Sequence, residues 1–114
     1  MKKLLLLTLL TYACNANTID DYQKDCAHGK LQQCHDLGII YKKAITVRRD
    51  IHKAAKYFSD ACDKDHASSC YEISLIYKNG EGVYTDKKKA KTLMKKSCDL
   101  GFSNACILSV TMGL

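Results

Sequence analysis

Six of the seven cysteines in this chain fall into three pairs of the form C-x7-C, and the pairs recur every 36 residues. Cys26, Cys62 and Cys98 form one ladder, and Cys34, Cys70 and Cys106 form the other. Self-similarity at a fixed period of roughly 20 to 50 residues marks an array of stacked units, so it decides the fold class before any single residue is interpreted. The same shift superposes Asp50 on Asp86, Ala54 on Ala90, Tyr22 on Phe58 and Met94, Leu37 on Ile73, Ile40 on Ile76 and Met112, and Tyr41 on Tyr77. These are largely cysteine and apolar positions, so the period is structural.

Within a unit the apolar spacing is helical. Ala54, Tyr57, Phe58, Ala61 and Cys62 line one face at a period near 3.6, and Cys70, Ile73, Ile76 and Tyr77 repeat the pattern. Each unit therefore holds two amphipathic helices, and the chain is expected to be an all-α solenoid of helical hairpins. Asp50 and Asp86 stand where an N-cap belongs, and Thr18 with Asp21 has capping-box spacing. Asn79-Gly80-Glu81-Gly82 closes the second helix, with Gly80 able to take the left-handed conformation of a helix end. The first unit carries Lys43-Ala44-Ile45-Thr46 there, so its loop is expected to end differently.

Spacing also constrains the cysteines. Residues eight apart on one continuous helix are separated by about 12 Å, whereas a disulfide needs Cα atoms within roughly 4.4 to 6.8 Å. If the pairs are bonded, the chain reverses between them, and Gly29, Asp65 and Gly101 lie in those intervals as turn formers. Each bridge then staples a hairpin, and closing so short a loop is worth roughly 2.6 kcal/mol in the chain-entropy model. Solenoid units bury their faces against neighbours, and about three are normally needed. The third unit here reaches only Leu114, which aligns with Lys78. Either the bridges offset that deficit, or the apolar edge of Ile107, Leu108, Val110 and Met112 is covered by another molecule.

The N-terminus reads as an export signal. Met1, Lys2 and Lys3 precede an apolar run from Leu4 to Leu10, followed by the small residues Ala13 and Ala16. The run is well short of the roughly 20 residues a spanning helix needs. Residues 1–16 are expected to be a signal peptide and 17–114 a repeat domain, with units of about 18–53, 54–89 and 90–114. Cleavage after Ala16 removes Cys14 and leaves an even number of cysteines. The rival is a lipoprotein acylated at Cys14, which Thr11 and Tyr12 disfavour because a lipobox usually carries Leu and a small residue there. A secreted or periplasmic protein without a transmembrane segment follows. The formal charge of +6, lower by two once Lys2 and Lys3 leave, is mildly basic and excludes a nucleic-acid stripe.

The unit AAKYFSDACDKDHASSCYEISLIYKNGEGVYTDKKKA resembles a Sel1-like repeat of the Helicobacter cysteine-rich protein type. The resemblance covers roughly residues 18 to 114. It rests on the paired cysteines, the Leu37-Gly38 position, the Gly80-x-Gly82-Val83 loop, and Asp86 with Ala90. The chain departs from that pattern at Ser74 and Val110, where the second helix usually carries Gly. The resemblance implies a right-handed superhelix of disulfide-bridged, tetratricopeptide-like hairpins, secreted or periplasmic. Two functions travel with it: a scaffold for protein or peptide interactions, and penicillin binding with weak β-lactamase activity.

Each candidate site has a competing interpretation. Zinc is the rival use of the cysteines, because His28 lies within the first pair and His66 within the second. The interval from Asp99 to Ala105 holds no histidine, and export favours oxidation. Disulfides at Cys26, Cys34, Cys62, Cys70, Cys98 and Cys106 are the expected state, with metal and reactive thiol as alternatives; no cofactor is expected. The lactamase motifs S-x-x-K, S-D-N and K-T-G are absent, and Ser59-Asp60-Ala61 and Lys91-Thr92-Leu93 are near misses without partners. Thr92 and Lys95, at i and i+3, read as solvated side chains, and the scattered histidines 28, 35, 52 and 66 as surface or turn residues. Gly80-Glu81-Gly82 is a helix-ending turn, since no strand precedes it as a phosphate cradle would require.

The strongest candidate for recognition is a lysine cluster, Lys87, Lys88, Lys89, Lys91, Lys95 and Lys96. The first three follow the cap Asp86, in a first helical turn where a cation costs about 0.3 to 1 kcal/mol against the helix dipole. A solvated face that keeps a secreted protein in solution accounts for them most simply. The functional alternative is attraction to an anionic partner, such as a cell-envelope polymer or an acidic protein.

Overall fold

The structure, a computed structural model, describes residues 18–113; the expected signal peptide and Cys14 lie outside the described residues. Six helices run α1 Ile19–Ala27, α2 Leu31–Lys43, α3 Ile51–Asp63, α4 Ala67–Asn79, α5 Lys87–Asp99 and α6 Ser103–Thr111, with no strand among the described residues. They form three hairpins stacked in chain order, each helix packing on the next. Among the described residues no helix is long and apolar enough to cross a membrane.

The helix starts follow from their caps. Thr18 and Asp21 form the reciprocal capping box of α1. Asp50 Oδ1 accepts the Lys53 N–H at 3.1 Å, and Asp86 Oδ1 accepts the Lys89 N–H at 2.9 Å. Each thus satisfies one of the four unpartnered donors at a helix start.

Every hairpin reverses in the same way. The N–H groups of Lys30, His66 and Phe102 reach back to the carbonyls of Asp25, Ala61 and Ser97, and the residue before each is left-handed: Gly29 at φ 87°, Asp65 at φ 67°, Gly101 at φ 98°. That reversal brings the cysteine Cα atoms to 4.7 Å for Cys26–Cys34, 4.6 Å for Cys62–Cys70 and 4.6 Å for Cys98–Cys106, and all three pairs are disulfides.

The loops between hairpins correct one expectation. α4 ends on Gly80 at φ 67°, with Gly82 at φ 65°, as the glycines suggest. α2 ends in the same conformation without glycine, since Ala44 takes φ 55° and Thr46 takes φ 60°. The hydrogen bonds match as well: Ile45 N–H to Ile40 O and Asp50 N–H to Tyr41 O, as Glu81 N–H to Ile76 O and Asp86 N–H to Tyr77 O. Both loops must deliver an aspartate cap to the next hairpin at the same angle, so the array holds the first loop in a conformation its side chains resist.

The core is continuous across the first two hairpins, with Leu37, Ala54, Phe58, Cys62, Cys70, Ile73 and Ile76 each at most 1% exposed. It continues into the third through Ala90, Met94 and Ala105, all fully buried. Ser74, where the family pattern has Gly, is buried at no polar cost because its hydroxyl donates to Ala90 O at 2.6 Å. On the last helix, Ile107 and Val110 are 65% and 77% exposed and Leu108 is half-buried, as is Met112 just after it.

Candidate binding surfaces

The lysine cluster divides in two. Lys89 Nζ lies 4.4 Å from the centre of the Tyr77 ring and donates to its hydroxyl at 3.1 Å. The same pair occurs 36 residues earlier, with Lys53 Nζ 5.2 Å from the Tyr41 ring. Lys89 therefore belongs to the repeat framework, and the 36-residue shift of Lys53 onto Lys89 was the signal for it. Lys96 Nζ donates to Cys62 O at 2.8 Å and pairs with Asp65 at 3.2 Å, tying α5 to the end of α3. Lys95 pairs with Asp99 at 2.8 Å along an exposed face, an interaction worth little. Lys87, Lys88 and Lys91 are exposed and make no ion pair within the described residues.

A cleft of about 460 Å³ opens between the first hairpin and α3. Gln23, Cys26 and Ala27 of α1, Leu31 and Cys34 of α2, and Lys56, Tyr57, Asp60, Asp63 and Lys64 at the far side line it. Tyr57 is positioned by stacking on Tyr41, ring centres 6.0 Å apart, and its hydroxyl accepts from Gln23 Nε2 at 3.5 Å. A shallower hollow of about 340 Å³ lies on the Gly80–Tyr84 loop, where Tyr84 is 97% exposed.

Two of the four histidines do more than occupy the surface or a turn, which sequence reasoning missed: His35 is half-buried, and His66, in the second reversal, is half-buried too. His66 caps α4: its Nδ1 accepts the Ser69 N–H at 3.3 Å. The proton then sits on Nε2, which donates to Gln32 Oε1 at 3.3 Å, while the Gln32 amide nitrogen serves Asp36 at 2.9 Å. The buried Ser69 hydroxyl lies 2.8 Å from His66 Nδ1 and 2.9 Å from His35 Nδ1, so it donates to the first and accepts from the second. His35 also packs 5.4 Å from Phe58 and 5.1 Å from His66, centre to centre. Burial holds both imidazoles below the ordinary value; His66 adds to the effect on His35, against Glu72 and Asp36, and Asp36 opposes it at His66. The cluster occurs once in the array, so periodicity carried no trace of it.

Among the described residues no group of three His, Cys, Asp or Glu side chains converges as a metal site. The near-miss positions are locally occupied. Thr92 Oγ1 donates to Lys88 O at 3.1 Å, and Lys95 is held by Asp99.

The family model of the Sel1 repeat matches residues 34–66 and 67–102, more than half of the chain. The chain belongs to the Sel1-repeat family. Its matched units begin on α2 and α4, so each family unit takes the second helix of one hairpin with the first helix of the next. Among solved structures, this Sel1-repeat chain is similar to Helicobacter pylori cysteine rich protein B at 29% identity and a TM-score of 0.75, over 87% of this chain and 77% of that one. It is also similar to a Sel1 repeat protein from Oxalobacter formigenes at 19% identity and a TM-score of 0.74, over 80% of this chain and 37% of the other. A third, a protective antigen of uropathogenic Escherichia coli with an SLR fold, gives 18% identity and a TM-score of 0.77, over 82% of this chain and 20% of that chain. The last two establish the fold alone, and this chain spans well under half of their length. No curated protein sequence matches the chain.

Proposed function

We propose that this protein is an exported, disulfide-stapled scaffold that binds a protein or peptide partner in the periplasm or outside the cell. The observation that carries the reading is the open cleft set in a clamped framework: two of its walls, Cys26 and Cys34, are the two halves of one bridge. A preformed concavity on a rigid array loses little entropy when a partner is ordered on it. Export is supported by the Lys2–Ala16 pattern and by three oxidised pairs, which persist in oxidising compartments. Lys87, Lys88 and Lys91 supply a second contact region for acidic segments of the partner or of the envelope.

The test is a comparison of captures. Oxidised protein immobilised in the medium and envelope extract of the exporting cell should retain a discrete partner, and the Lys87→Gln, Lys88→Gln, Lys91→Gln triple variant should retain less of it at low salt. Equal retention at all ionic strengths would remove the lysines from the interface. Analysis of the mature N-terminus decides between Asn17 and an acylated Cys14. The hydrolytic alternative, penicillin binding with weak β-lactamase activity, rests on the resemblance. The one serine held between histidines, Ser69, is fully buried, which opposes a nucleophilic role. Turnover of a chromogenic cephalosporin by purified protein, above that of a lysine-rich control, would reinstate it.

A further inference from the structure

The junction between the second and third hairpins shows what the cleft at the first junction lacks. There, Lys96 of α5 places its ammonium 2.8 Å from the Cys62 carbonyl, at the C-terminal end of α3, and 3.2 Å from Asp65. Carbonyls at a helix end have no partner within the helix and carry its negative pole, so a cation there is doubly favoured. Cys62 O already accepts the Asp65 N–H at 2.9 Å, and the ammonium takes its remaining acceptor capacity.

Shifting back by one repeat superposes Cys62 on Cys26 and Lys96 on Asp60. Cys26 O accepts the Gly29 N–H at 3.0 Å, as Cys62 O accepts that of Asp65. The residue that should plug the helix end is now a carboxylate, and a carboxylate cannot donate to a carbonyl. Instead of an internal ammonium there is an open cleft, with Cys26 and Asp60 both on its lining. Its volume of about 460 Å³ lies within the range of small-ligand sites.

We propose that this cleft receives a lysine side chain of the protein partner, whose ammonium does from outside what Lys96 does from within at the next junction. The inference rests on the scaffold reading. The lining selects this group over a bare cation. Asp60 and Asp63 are balanced by Lys56 and Lys64, so no net field concentrates metal ions. What distinguishes the site is its lining: Tyr57, Leu31 and the Cys26–Cys34 bridge offer apolar surface to a methylene stem, and the Asp60 and Asp63 carboxylates offer acceptors to its ammonium.

The probe is N-acetyl-lysine methylamide, titrated into oxidised, ¹⁵N-labelled protein, with the neutral N-acetyl-norleucine methylamide as control. The lysine probe should shift the amides of Gln23, Cys26, Ala27 and Leu31 with a Kd on the order of 1 mM, about 4 kcal/mol of binding. The norleucine probe should not. Asp60→Lys, which supplies an internal ammonium, should weaken the lysine probe about tenfold or more, and the near-isosteric Asp60→Asn should weaken it severalfold. Lys96→Ala should gain a second set of shifts around Cys62 and Asp65. Equal shifts from both probes, or unchanged binding by both Asp60 variants, would overturn the proposal. Because these titrations need no partner, their failure would leave the scaffold reading to the capture experiment, and success there would not rescue the cleft.

Discussion

Gly38 of α2 packs against the ring of Phe58 of α3, so close that a Cβ on residue 38 would overlap the ring. The glycine is the hole and the phenylalanine the knob of the first junction between hairpins. One repeat later the hole is Ser74 and the knob Met94, and both are fully buried. A thinner knob leaves room for a hydroxymethyl group. The departure from glycine at Ser74 is therefore matched by the change from Phe58 to Met94.

Gly38→Ala should destabilise the protein by about 1 to 3 kcal/mol, the usual cost of overpacking a rigid core. Phe58→Leu in the same chain should recover part of that loss, so the two substitutions should be non-additive in a double-mutant cycle read by urea denaturation. Additive effects would mean that the two residues are not coupled.

The lysines of α5 should separate by stability. Lys89→Gln removes the ammonium from the Tyr77 ring and should cost about 0.5 to 1 kcal/mol. Lys87→Gln and Lys88→Gln remove unpaired cations from the positive pole of the helix and should each raise stability by about 0.3 to 1 kcal/mol at low salt. Thermal melts of the three variants check the signs. A loss at Lys88 equal to that at Lys89 would point to a contact for Lys88 that the structure does not contain.

The first interhairpin loop should tolerate what its conformation asks for. Ala44 and Thr46 sit at φ 55° and φ 60°, a region that costs a non-glycine residue about 1 to 2 kcal/mol. Ala44→Gly and Thr46→Gly should each stabilise, by a few tenths to about 1 kcal/mol once the added freedom of the unfolded chain is subtracted. The reverse change, Gly82→Ala, should destabilise, since its Cβ would also meet Ile51 at 2.3 Å.

How much was legible in the sequence follows from what the repeat dictates. Features set by the shared frame recur, so the helices, the aspartate caps, the reversals at Gly29, Asp65 and Gly101 and the bridges were open to a 36-residue comparison. The first loop was misjudged because residue preference was weighed above the frame, and the frame prevailed over Ala44 and Thr46. His35, His66 and Ser69 belong to one junction only, so they repeat nowhere and look like scattered polar residues. Lys96 was visible as a charge, but where a long side chain ends depends on which carbonyl lies within reach. Spacing along the chain does not encode that.

The histidine cluster should make the protein less stable in acid. Burial lowers the folded-state pKa of His35 and His66 below their ordinary value of 6.5. The unfolded chain therefore takes up protons first, and stability present above that value is lost as pH falls through it toward the folded values. Charging His66 also turns Nδ1 from acceptor to donor and removes the cap of α4. The urea midpoint should drop between about pH 7.5 and pH 5. In a His35→Gln, His66→Asn variant, where Asn keeps a capping oxygen, that drop should shrink. An identical drop in the variant would detach the acid sensitivity from this cluster.

The three bridges should differ in resistance to reduction although each closes a loop of the same length. In the chain-entropy model each is worth about 2.6 kcal/mol, which does not distinguish them. Burial does. Cys62 and Cys70 are 1% and 0% exposed, enclosed by hairpins on both sides, whereas Cys98 and Cys106 lie on the last hairpin and are half-buried. Reduction requires a thiolate to approach one sulfur along the bond axis, so access controls the order of cleavage. A mild dithiol should open Cys98–Cys106 first and Cys62–Cys70 last, as read by alkylation and peptide mass spectrometry at short times. Paired alanine substitutions should agree. Losing Cys62 and Cys70 removes the cross-link and leaves a cavity in the core, so it should cost more than losing Cys98 and Cys106, which removes little beyond the cross-link. If the middle bridge opened first, the core around it would have to be breathing, and the rigidity on which a preformed cleft depends would be gone.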